Sequence, residues 1–339
     1  MSTTASATPS YPWIIAEAGS VHDGSFGNAC KLVELAARSG ANVVKFQTHV
    51  AAAETLRGAP SPSYFKAEPR FEYFERTAFT RPQWRELASL ARSLGLGFIS
   101  SPFAIEAVDL LEETGVDAYK IASGEVTNLP LLARIALTKK PVVLSSGMSD
   151  WAELDRAVTV LRAGGDLIVM QCTSAYPCPV ERAGINVIAQ IAARYGVTTG
   201  FSDHTAGIAA GVAAIAAGAS VVEKHFTFSR HMYGSDAQFG LEPEAFARYC
   251  AEMKDAWAIR QSPVDKADLG NGLREMKQIF EKSIVTAAPV ARGEVLGDAH
   301  LAFKKPGTGI RADRVDLVIG KRAVRDLPAD HMLAIEDLS

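Results

Sequence analysis

Residues 141–172 read PVVLSSGMSDWAELDRAVTVLRAGGDLIVMQC, and this stretch contains one strand–helix–strand unit. The apolar runs 141–145 and 167–172 have the length and composition of buried strands. Between them, Asp150 can cap a helix that places Leu154, Val158 and Leu161 on one face. Eight short apolar runs are each followed by a helix-compatible segment, at 13–16, 42–46, 97–101, 117–122, 141–145, 167–172, 197–202 and 220–225. Because eight such units favour a closed barrel over an open sheet, the sequence predicts an α/β fold, the (β/α)8 or TIM barrel.

The chain divides into a large and a small part. Helical periodicity lapses after residue 260, and β-like pieces at 283–287, 315–319 and 331–335 follow, separated by Gly/Pro turns. We therefore predict a disordered tail at 1–11, a catalytic barrel at 12–260, a linker at 261–277 and a small β-rich domain at 278–339. Residues 50–81 are too many for an ordinary βα loop, so we expect a wall or lid over the barrel mouth.

Composition excludes several classes of protein. The formal net charge is -3 and no Lys/Arg-rich run is present, which argues against a nucleic-acid partner. Four cysteines without a CxxC pair indicate a reducing compartment and neither a disulfide framework nor a zinc ribbon. Residues 1–11 lack the pattern of a signal peptide, and the Ala/Gly-rich stretch 207–222 suits a packed helix and strand better than a membrane span. We expect a cytoplasmic protein without membrane contact.

Polar residues stand where the predicted strands give way to loops, the place where barrel enzymes carry their reactive groups. In strand order they are Glu17, Lys45, Gln47, Ser101, Lys120, Ser123, Glu125, Ser145, Ser174, Tyr176, Ser202, His204 and His225. This pattern predicts a binding site at the mouth of the barrel.

Lys45 and Lys120 lie two strands apart, and period-two alternation can point both side chains inward among several hydroxyls. Two cations with serine hydroxyls form a cradle for a phosphate or carboxylate. A Schiff-base lysine is the competing interpretation, but it needs a desolvated amine, whereas these two lysines share one polar site. The alternative without a functional role is that each lysine is a solvated charge at the rim of the barrel. We favour anion binding.

His204 and His225 end neighbouring strands, so both imidazoles can reach one divalent ion while other positions stay open to water or substrate. Oxygen donors completing the shell favour Mn²⁺ first, with Co²⁺ or Mg²⁺ as alternatives to a closed zinc site. His22, in the first βα loop, has no assigned role. No GxGxxG loop follows a strand, so we propose no nicotinamide site. Cys172 and Cys178 have no evident base and are expected to be structural thiols.

Eight motifs along the chain resemble the phosphoenolpyruvate-dependent sialic acid synthases, a family that includes legionaminic, pseudaminic and spore-coat polysaccharide synthases. The motifs are IAEAG (15–19), VKFQT (44–48), ISSPF (99–103), YKIASGE (119–125), LSSGM (144–148), CTSAYP (172–177), SDHT (202–205) and EKHFT (223–227). The C-terminal part is similar to the family's antifreeze-like (SAF, β-clip) domain. The resemblance covers nearly the whole chain.

The resemblance implies a role for each residue of the predicted site. Phosphoenolpyruvate would lie on Lys45, Ser101, Lys120, Ser123, Ser145, Ser174 and Ser202, and the metal on His204 and His225. Glu17, Gln47, Glu125, Tyr176 and Asp236 would lie near the open-chain acceptor sugar or the metal-bound water, with Glu17 or Glu125 as the acid/base partner. Lys305 would approach the sugar from a partner subunit.

Three departures from the family pattern concern the acceptor. Residues 21–24 read VHDG where the family usually has Asn-His-Asn-Gly, with Val21 at the first position. Residues 234–237 read GSDA, ending in Ala237, where Gly-Pro-Asp-His is frequent. Lys305 stands where the C-terminal domain commonly has Arg, which keeps the charge and loses bidentate geometry. The acceptor sugar is therefore expected to be unusual.

The implied reaction condenses phosphoenolpyruvate with an N-acylated hexosamine aldehyde, such as N-acetylmannosamine, and water, giving a nonulosonic acid and phosphate. A metal-dependent aldolase or sugar-phosphate isomerase on the same barrel is the alternative enzyme. A non-catalytic carbohydrate-binding protein would leave the lysines, serines and histidines of the rim unexplained. The small C-terminal domain and the length of the linker predict a domain-swapped homodimer.

Overall fold

The structure is a computed structural model, and it describes residues 12–61 and 67–339. The predicted disordered tail at 1–11 lies outside the described residues. The chain forms two compact units, residues 1–262 and 263–339. The first unit contains the barrel, and the second contains the small β-rich part.

Eight parallel strands close into a barrel, in which β1 pairs with both β2 and β8. This confirms the predicted (β/α)8 fold. The strands are β1 (Trp13–Gly19), β2 (Val43–Thr48), β3 (Gly97–Pro102), β4 (Ala118–Ile121), β5 (Val142–Ser145), β6 (Leu167–Cys172), β7 (Thr198–Asp203) and β8 (Val221–His225).

Helices follow each strand and surround the barrel. They are α1 (Phe26–Arg38), α2 (Ala51–Glu54), α3 (Arg70–Thr77), α4 (Arg81–Ser93), α5 (Ile105–Thr114), α6 (Leu129–Leu137), α7 (Trp151–Leu161), α8 (Asn186–Tyr195), α9 (Ala209–Ala216) and α10 (Pro243–Gln261). The predicted cap is confirmed, because Asp150 and Glu153 form a reciprocal capping box at the start of α7. None of the helices in the two described stretches is long and apolar enough to cross a membrane.

Two layers of side chains fill the barrel interior and place the site. The lower layer is an apolar cluster of Ile15, Val43, Ile99, Ala118, Val143, Ile168, Met170 and Val221. Successive side chains on a strand alternate between faces, so the inward residue two positions further along lies nearer the C-terminal mouth. That second layer is polar and includes Glu17, Lys45, Ser101, Lys120, Ser145 and Glu223. The apolar layer closes the floor beneath these charges.

The long segment after β2 contains two helices, α2 and α3. Ala51, Phe71, Tyr73 and Phe74 form a small apolar cluster of their own. Pro60, Ser61, Arg70, Tyr73 and Phe74 line a cavity at the barrel mouth. The described part of this segment therefore forms a wall of the mouth, as its length predicted.

The second unit has a small core of its own, centred on Ile284, Val290, Val318 and Leu333. Its regular elements are α11 (Lys266–Gly272), α12 (Arg274–Phe280), β9 (Ser283–Thr286) and β10 (Leu301–Lys304), the last two paired antiparallel.

Two sequence predictions for this unit were wrong in detail. Residues 315–319 contain the 3-10 turn Val315–Leu317 in place of a strand, and 331–335 contribute an isolated bridge between Met332 and Val285. The stretch predicted as a linker, 261–277, holds α11 and part of α12. In so small a unit, short apolar runs can pack into the core from turns. These two runs form no β-ladder with a neighbouring strand in the described part of the chain, so they do not extend as strands.

Candidate active site

The two lysines of the predicted cradle lie side by side in the barrel mouth, almost fully buried. Lys45 Nζ donates a hydrogen bond to Ser101 Oγ at 3.4 Å, and Lys120 Nζ donates to Ser145 Oγ at 2.7 Å. They line a cavity of about 240 Å³. Of the predicted site residues, Glu17, Lys45, Gln47, Ser101, Lys120, Ser123, Ser145, Ser174, Tyr176, Ser202, His204 and His225 line this cavity. We call this cavity and its lining the cradle.

A carboxylate that the sequence analysis missed joins the two lysines. Glu223 Oε1 lies 3.5 Å from Lys45 Nζ and 3.4 Å from Lys120 Nζ, and it accepts a hydrogen bond from Ser202 Oγ at 3.2 Å. Burial alone would raise the pKa of Glu223, but the two lysines outweigh it and hold that pKa below its ordinary value. Period-two alternation from His225 was the available signal, because it puts Glu223 on the same inward face.

Glu17 is the second carboxylate of the cradle, with Oε2 3.0 Å from Lys45 Nζ. Burial raises the pKa of Glu17 to about 7, an effect that Lys45 opposes and the negative charge of Glu223 reinforces. For Lys120, burial lowers the pKa, with Glu223 opposing it and Lys45 adding to it. Two cations and two carboxylates therefore share one desolvated volume, and Glu17 is the member that can exchange a proton near neutral pH.

His204 and His225 come together at the ends of β7 and β8, with ring centroids 5.9 Å apart. His204 Nδ1 lies 3.0 Å from the Thr173 carbonyl oxygen, to which it can only donate, so Nε2 carries the lone pair. Burial lowers the pKa of His225 to about 4, and its buried Nδ1 has no hydrogen-bond partner among the residues that the structure describes.

Imidazole nitrogens at neighbouring strand ends could bind a divalent ion, and a carbonyl that orients one ring is a usual second contact in metal sites. No group of three or more His, Cys, Asp or Glu residues with metal-binding geometry occurs in the described parts of the chain. Any ion held here would therefore take its remaining ligands from water or substrate.

A second, larger cavity of about 470 Å³ adjoins the cradle and shares Gln47, Phe103, Ala122, Tyr176 and His225 with it. Its remaining lining residues are His49, Pro60, Ser61, Arg70, Tyr73, Phe74, Ser235, Asp236 and Phe239. Aromatic walls with a few polar groups are typical of small-molecule sites. We call this cavity the acceptor pocket.

Gln47 lies on the border between the two cavities. Its Nε2 donates to Glu17 Oε1 at 2.9 Å and to Asp236 Oδ2 at 3.4 Å. Asp236 Oδ2 also accepts from the Ser20 backbone N–H at 2.9 Å. Three of the residues predicted near the sugar are thus hydrogen-bonded to one another.

Two predicted residues stand apart from this group. Glu125 lines neither cavity, and its carboxylate accepts a hydrogen bond from Asn128 Nδ2 at 2.8 Å. Lys305 belongs to the second unit, where its Nζ lies 5.0 Å from the centre of the Phe280 ring.

Two residues of the first βα loop have a structural explanation. His22 is buried, packs on Phe79 and accepts a hydrogen bond from the Gly24 N–H, so its role is structural. Asp23, where the family usually has Asn, accepts a hydrogen bond from Arg76 Nη2 at 2.7 Å. The departure at this position therefore ties the first loop to α3.

Cys172 has a histidine neighbour that the sequence did not indicate. Its Sγ lies 3.8 Å from His204 Nδ1. Burial alone would raise the pKa of the Cys172 thiol, but His204 and Lys120 outweigh that effect and hold the pKa below its ordinary value. The contact joins β6 and β7, and sequence spacing gave no signal for it.

Fold and site together define a (β/α)8 barrel protein with an anion cradle, a pair of histidines and a second small-molecule pocket at the C-terminal ends of the strands. Residues 32–264 match the NeuB family, and residues 281–339 match the SAF domain. The chain belongs to the NeuB family, which confirms the resemblance of its motifs to the sialic acid synthases.

Relatives cover nearly the full length. The chain is 34% identical over 329 residues to N,N'-diacetyllegionaminic acid synthase of Campylobacter jejuni, covering 94% of this chain and 98% of that one. It is 30% identical over 335 residues to pseudaminic acid synthase of Helicobacter pylori, with 96% and 98% covered. The crystal structure of a putative spore coat polysaccharide biosynthesis protein E from Chromobacterium violaceum superposes with a TM-score of 0.72 at 27% identity, covering 97% and 99%.

Proposed function

We propose that this protein condenses phosphoenolpyruvate with the open-chain aldehyde of an N-acylated hexosamine and with water, giving a nonulosonic acid and phosphate. The observation that carries the proposal is the pair of buried lysines, Lys45 and Lys120, in a hydroxyl-lined cavity that opens into a second pocket. A small substrate with a phosphate and a carboxylate suits the first cavity, and a neutral sugar suits the second. The synthases among its relatives support this assignment.

The reaction forms one carbon–carbon bond and breaks one carbon–oxygen bond. The enol carbon of phosphoenolpyruvate attacks the aldehyde carbon, and the aldehyde oxygen takes a proton to become a hydroxyl. Positive charge develops at the carbon that carries the phosphate oxygen, water adds there and loses a proton, and phosphate leaves with its bridging oxygen. Holding both substrates at adjoining sites lowers the entropic cost of the first step.

Glu17 is the carboxylate that best suits the proton transfers. Its pKa near 7 and its hydrogen bond from Gln47 place a group able to gain or lose a proton between the two cavities. Glu125 lines neither cavity, which favours Glu17 in this role. The serine hydroxyls beside Lys45 and Lys120 would donate to the phosphate and carboxylate oxygens.

His204 and His225 would hold a divalent ion, Mn²⁺ first and Co²⁺ or Mg²⁺ otherwise, which when bound would polarise the aldehyde carbonyl. We expect chelator-treated protein to stay folded and lose activity, and Mn²⁺ to restore it. Electron paramagnetic resonance of added Mn²⁺ tests the binding itself. Unchanged Mn²⁺ affinity in His225→Ala would contradict the assignment.

The acceptor pocket supports a sugar with apolar substituents. Phe74, Phe103 and Phe239 line it beside Arg70 and Asp236. N-acyl methyl groups can pack on the aromatic rings, while hydroxyl groups can bond to the polar side chains. Residue 237 is a fully buried Ala in place of the frequent His, so that position offers the sugar no imidazole.

The proposal extends to assembly and location. Large apolar side chains are exposed on α11, on α12 and at the residue between them, and such surfaces mark association sites: Leu269, Leu273, Met276, Ile279 and Phe280. We expect a homodimer in which the C-terminal domain of one chain covers the barrel mouth of the other and supplies Lys305. The four cysteines are free thiols, which supports a cytoplasmic location.

Subunit mixing tests the exchange. Lys305→Ala chains mixed with inactive His225→Ala chains give heterodimers with one intact composite site. Recovered activity with normal sugar affinity supports the domain swap. A mixture no better than its parts, after mass spectrometry has confirmed subunit exchange, would refute it.

The reaction is tested by incubating the protein with phosphoenolpyruvate, Mn²⁺ and a panel of N-acylated hexosamines. We expect phosphate release that depends on one class of acceptor, with a product three carbons longer than the sugar. Phosphoenolpyruvate with its bridging oxygen labelled as 18O should release labelled phosphate. A labelled sugar product would mean that the phosphorus–oxygen bond breaks and would contradict the proposed mechanism. Condensation without phosphate release would contradict the reaction and favour an aldolase.

A further inference from the structure

We propose that His49 and Glu54 form a positioning pair that fixes the side-chain amide of Gln47, and through it the carboxylates of Glu17 and Asp236, at the acceptor pocket. The inference rests on the proposed function only where its test measures kcat/KM. Neither residue belongs to the predicted site, and the role follows from their contacts.

The ring of His49 is held on both faces. It stacks on Phe74 with centroids 3.7 Å apart and planes 7° apart, and on Phe103 at 4.4 Å and 11°. A ring held between two others cannot tilt, so its two nitrogens point in fixed directions within one plane. The side chains of His49 and Glu54 are 7% and 5% exposed, so water offers little competition for their hydrogen bonds.

Each nitrogen of this ring faces one oxygen. His49 Nδ1 lies 2.6 Å from Glu54 Oε1, and His49 Nε2 lies 3.2 Å from Gln47 Oε1. A carboxylate only accepts hydrogen bonds, so Nδ1 carries a hydrogen. The role of Nε2 as donor or acceptor then depends on which atom of the Gln47 amide faces it.

The orientation of the amide follows from its other neighbours. Two carboxylates, Glu17 Oε1 and Asp236 Oδ2, lie on the far side of Gln47, and only an NH₂ group can satisfy both. The amide oxygen therefore faces His49 Nε2, which can donate to it. His49 Nδ1 faces Glu54 Oε1, and Phe74 and Phe103 hold the ring between them.

These contacts favour a single orientation of the Gln47 side-chain amide. A rotated amide would turn its oxygen toward Glu17 and Asp236 and its NH₂ toward His49 Nε2, and so lose the hydrogen bonds that its NH₂ group donates to the two carboxylates. Glu54 is the last residue of α2, so the wall segment after β2 is connected through this pair to the border of the cradle. His49 and Glu54 act through Gln47.

A double-mutant cycle separates this role from a general structural one. His49→Phe keeps an aromatic ring in the stack and removes both ring nitrogens. We expect it to lower kcat/KM for the acceptor about 10- to 100-fold, the value of one hydrogen bond to a charged group, and to leave the Kd for phosphoenolpyruvate nearly unchanged. In a Gln47→Ala background the same substitution should change kcat/KM less than about twofold. An equal loss in both backgrounds would overturn the proposal.

Glu54→Gln covers the case in which His49→Phe fails to fold. It keeps an acceptor for Nδ1–H and removes the carboxylate charge, so we expect a smaller loss of kcat/KM that also disappears in the Gln47→Ala background. A loss that persists there counts against the positioning role.

Hydrogen exchange of the Gln47 side-chain amide tests this inference without measuring catalysis, so its outcome is independent of the proposed reaction. The side-chain amide of Gln47, assigned in 15N–1H spectra by its absence in Gln47→Ala, should exchange slowly with water in the wild type. It should exchange much faster in His49→Phe. Unchanged exchange would overturn the positioning role even in an active enzyme, whereas absent phosphate release with intact protection would refute the reaction alone.

Discussion

Lys224→Met should destabilise the barrel, because Lys224 neutralises a buried carboxylate. Its Nζ lies 3.0 Å from Asp203 Oδ2, and both side chains are at most 1% exposed. The same ammonium group donates to the carbonyl oxygens of Thr205 and Gly207. Asp203 and Lys224 immediately precede His204 and His225, so this ion pair fixes the strand ends that carry both imidazoles.

The magnitude follows from what remains around Asp203. Removing one partner of a buried ion pair typically costs about 3–5 kcal/mol. Thr205 would still donate to Asp203 Oδ1 from its backbone N–H at 2.8 Å and its hydroxyl at 2.7 Å. We therefore expect a loss near the lower end, about 3 kcal/mol of the free energy of unfolding. For a barrel of this size the melting temperature should fall by about 6–12 °C.

Urea unfolding of the barrel, followed by circular dichroism, measures the loss. The double variant Asp203→Asn/Lys224→Met should be more stable than Lys224→Met, because it leaves no unpaired charge. Lys31→Met is the matched control, since Lys31 pairs with Glu34 on the surface, and it should change stability by less than about 1 kcal/mol. A loss in Lys224→Met no larger than in Lys31→Met, or a double variant as unstable as the single one, would refute the reasoning.

Three further predictions concern charge. Lys120→Met removes a buried cation from the cradle, so calorimetry should show the Kd for phosphoenolpyruvate rising at least about 30-fold. Because the pKa of Glu17 is raised to about 7, an anion bound beside it should draw a proton from solution between about pH 6 and pH 8. Buffers of different ionisation enthalpy should reveal this uptake, and Glu17→Gln should abolish it. Burial alone would raise the pKa of Asp337, but hydrogen bonds from His331, the Ala334 N–H and Arg325 hold it below its ordinary value. Its carboxylate therefore stabilises the C-terminal unit above the unfolded-state pKa, and that stability is lost as pH falls through the folded-state pKa. In Asp337→Asn, hydrogen exchange of the β9 amides should be faster at neutral pH and lose this dependence.

The sequence predicted the barrel because alternation and strand length are local properties. The same alternation placed Lys45 and Lys120 on the inner face, where the structure has them. It also held the signal for Glu223, which lies two residues before His225 on the same inward face.

Other parts of the site depend on contacts that no local pattern encodes. His49 and Glu54 lie in the segment after β2, and their relation to Gln47 appears only when Phe74 and Phe103 pack on the histidine ring. Glu125 follows a strand end, yet the chain turns there and its carboxylate bonds to Asn128. The strands expected near 315 and 331 are turns and a bridge, because packing in a small unit outweighs strand propensity.

The lysines of the cradle are already paired with Glu17 and Glu223, so an anion enters only by competing with two resident carboxylates. A substrate with a phosphate and a carboxylate on one small frame can engage both lysines together. Inorganic phosphate lacks the carboxylate, so only its own charge would engage the lysines. In the proposed reaction, released phosphate would compete with Glu17 and Glu223 for the two lysines and would be displaced more readily than phosphoenolpyruvate. The pairing of the two lysines with Glu17 and Glu223 would therefore limit inhibition by phosphate.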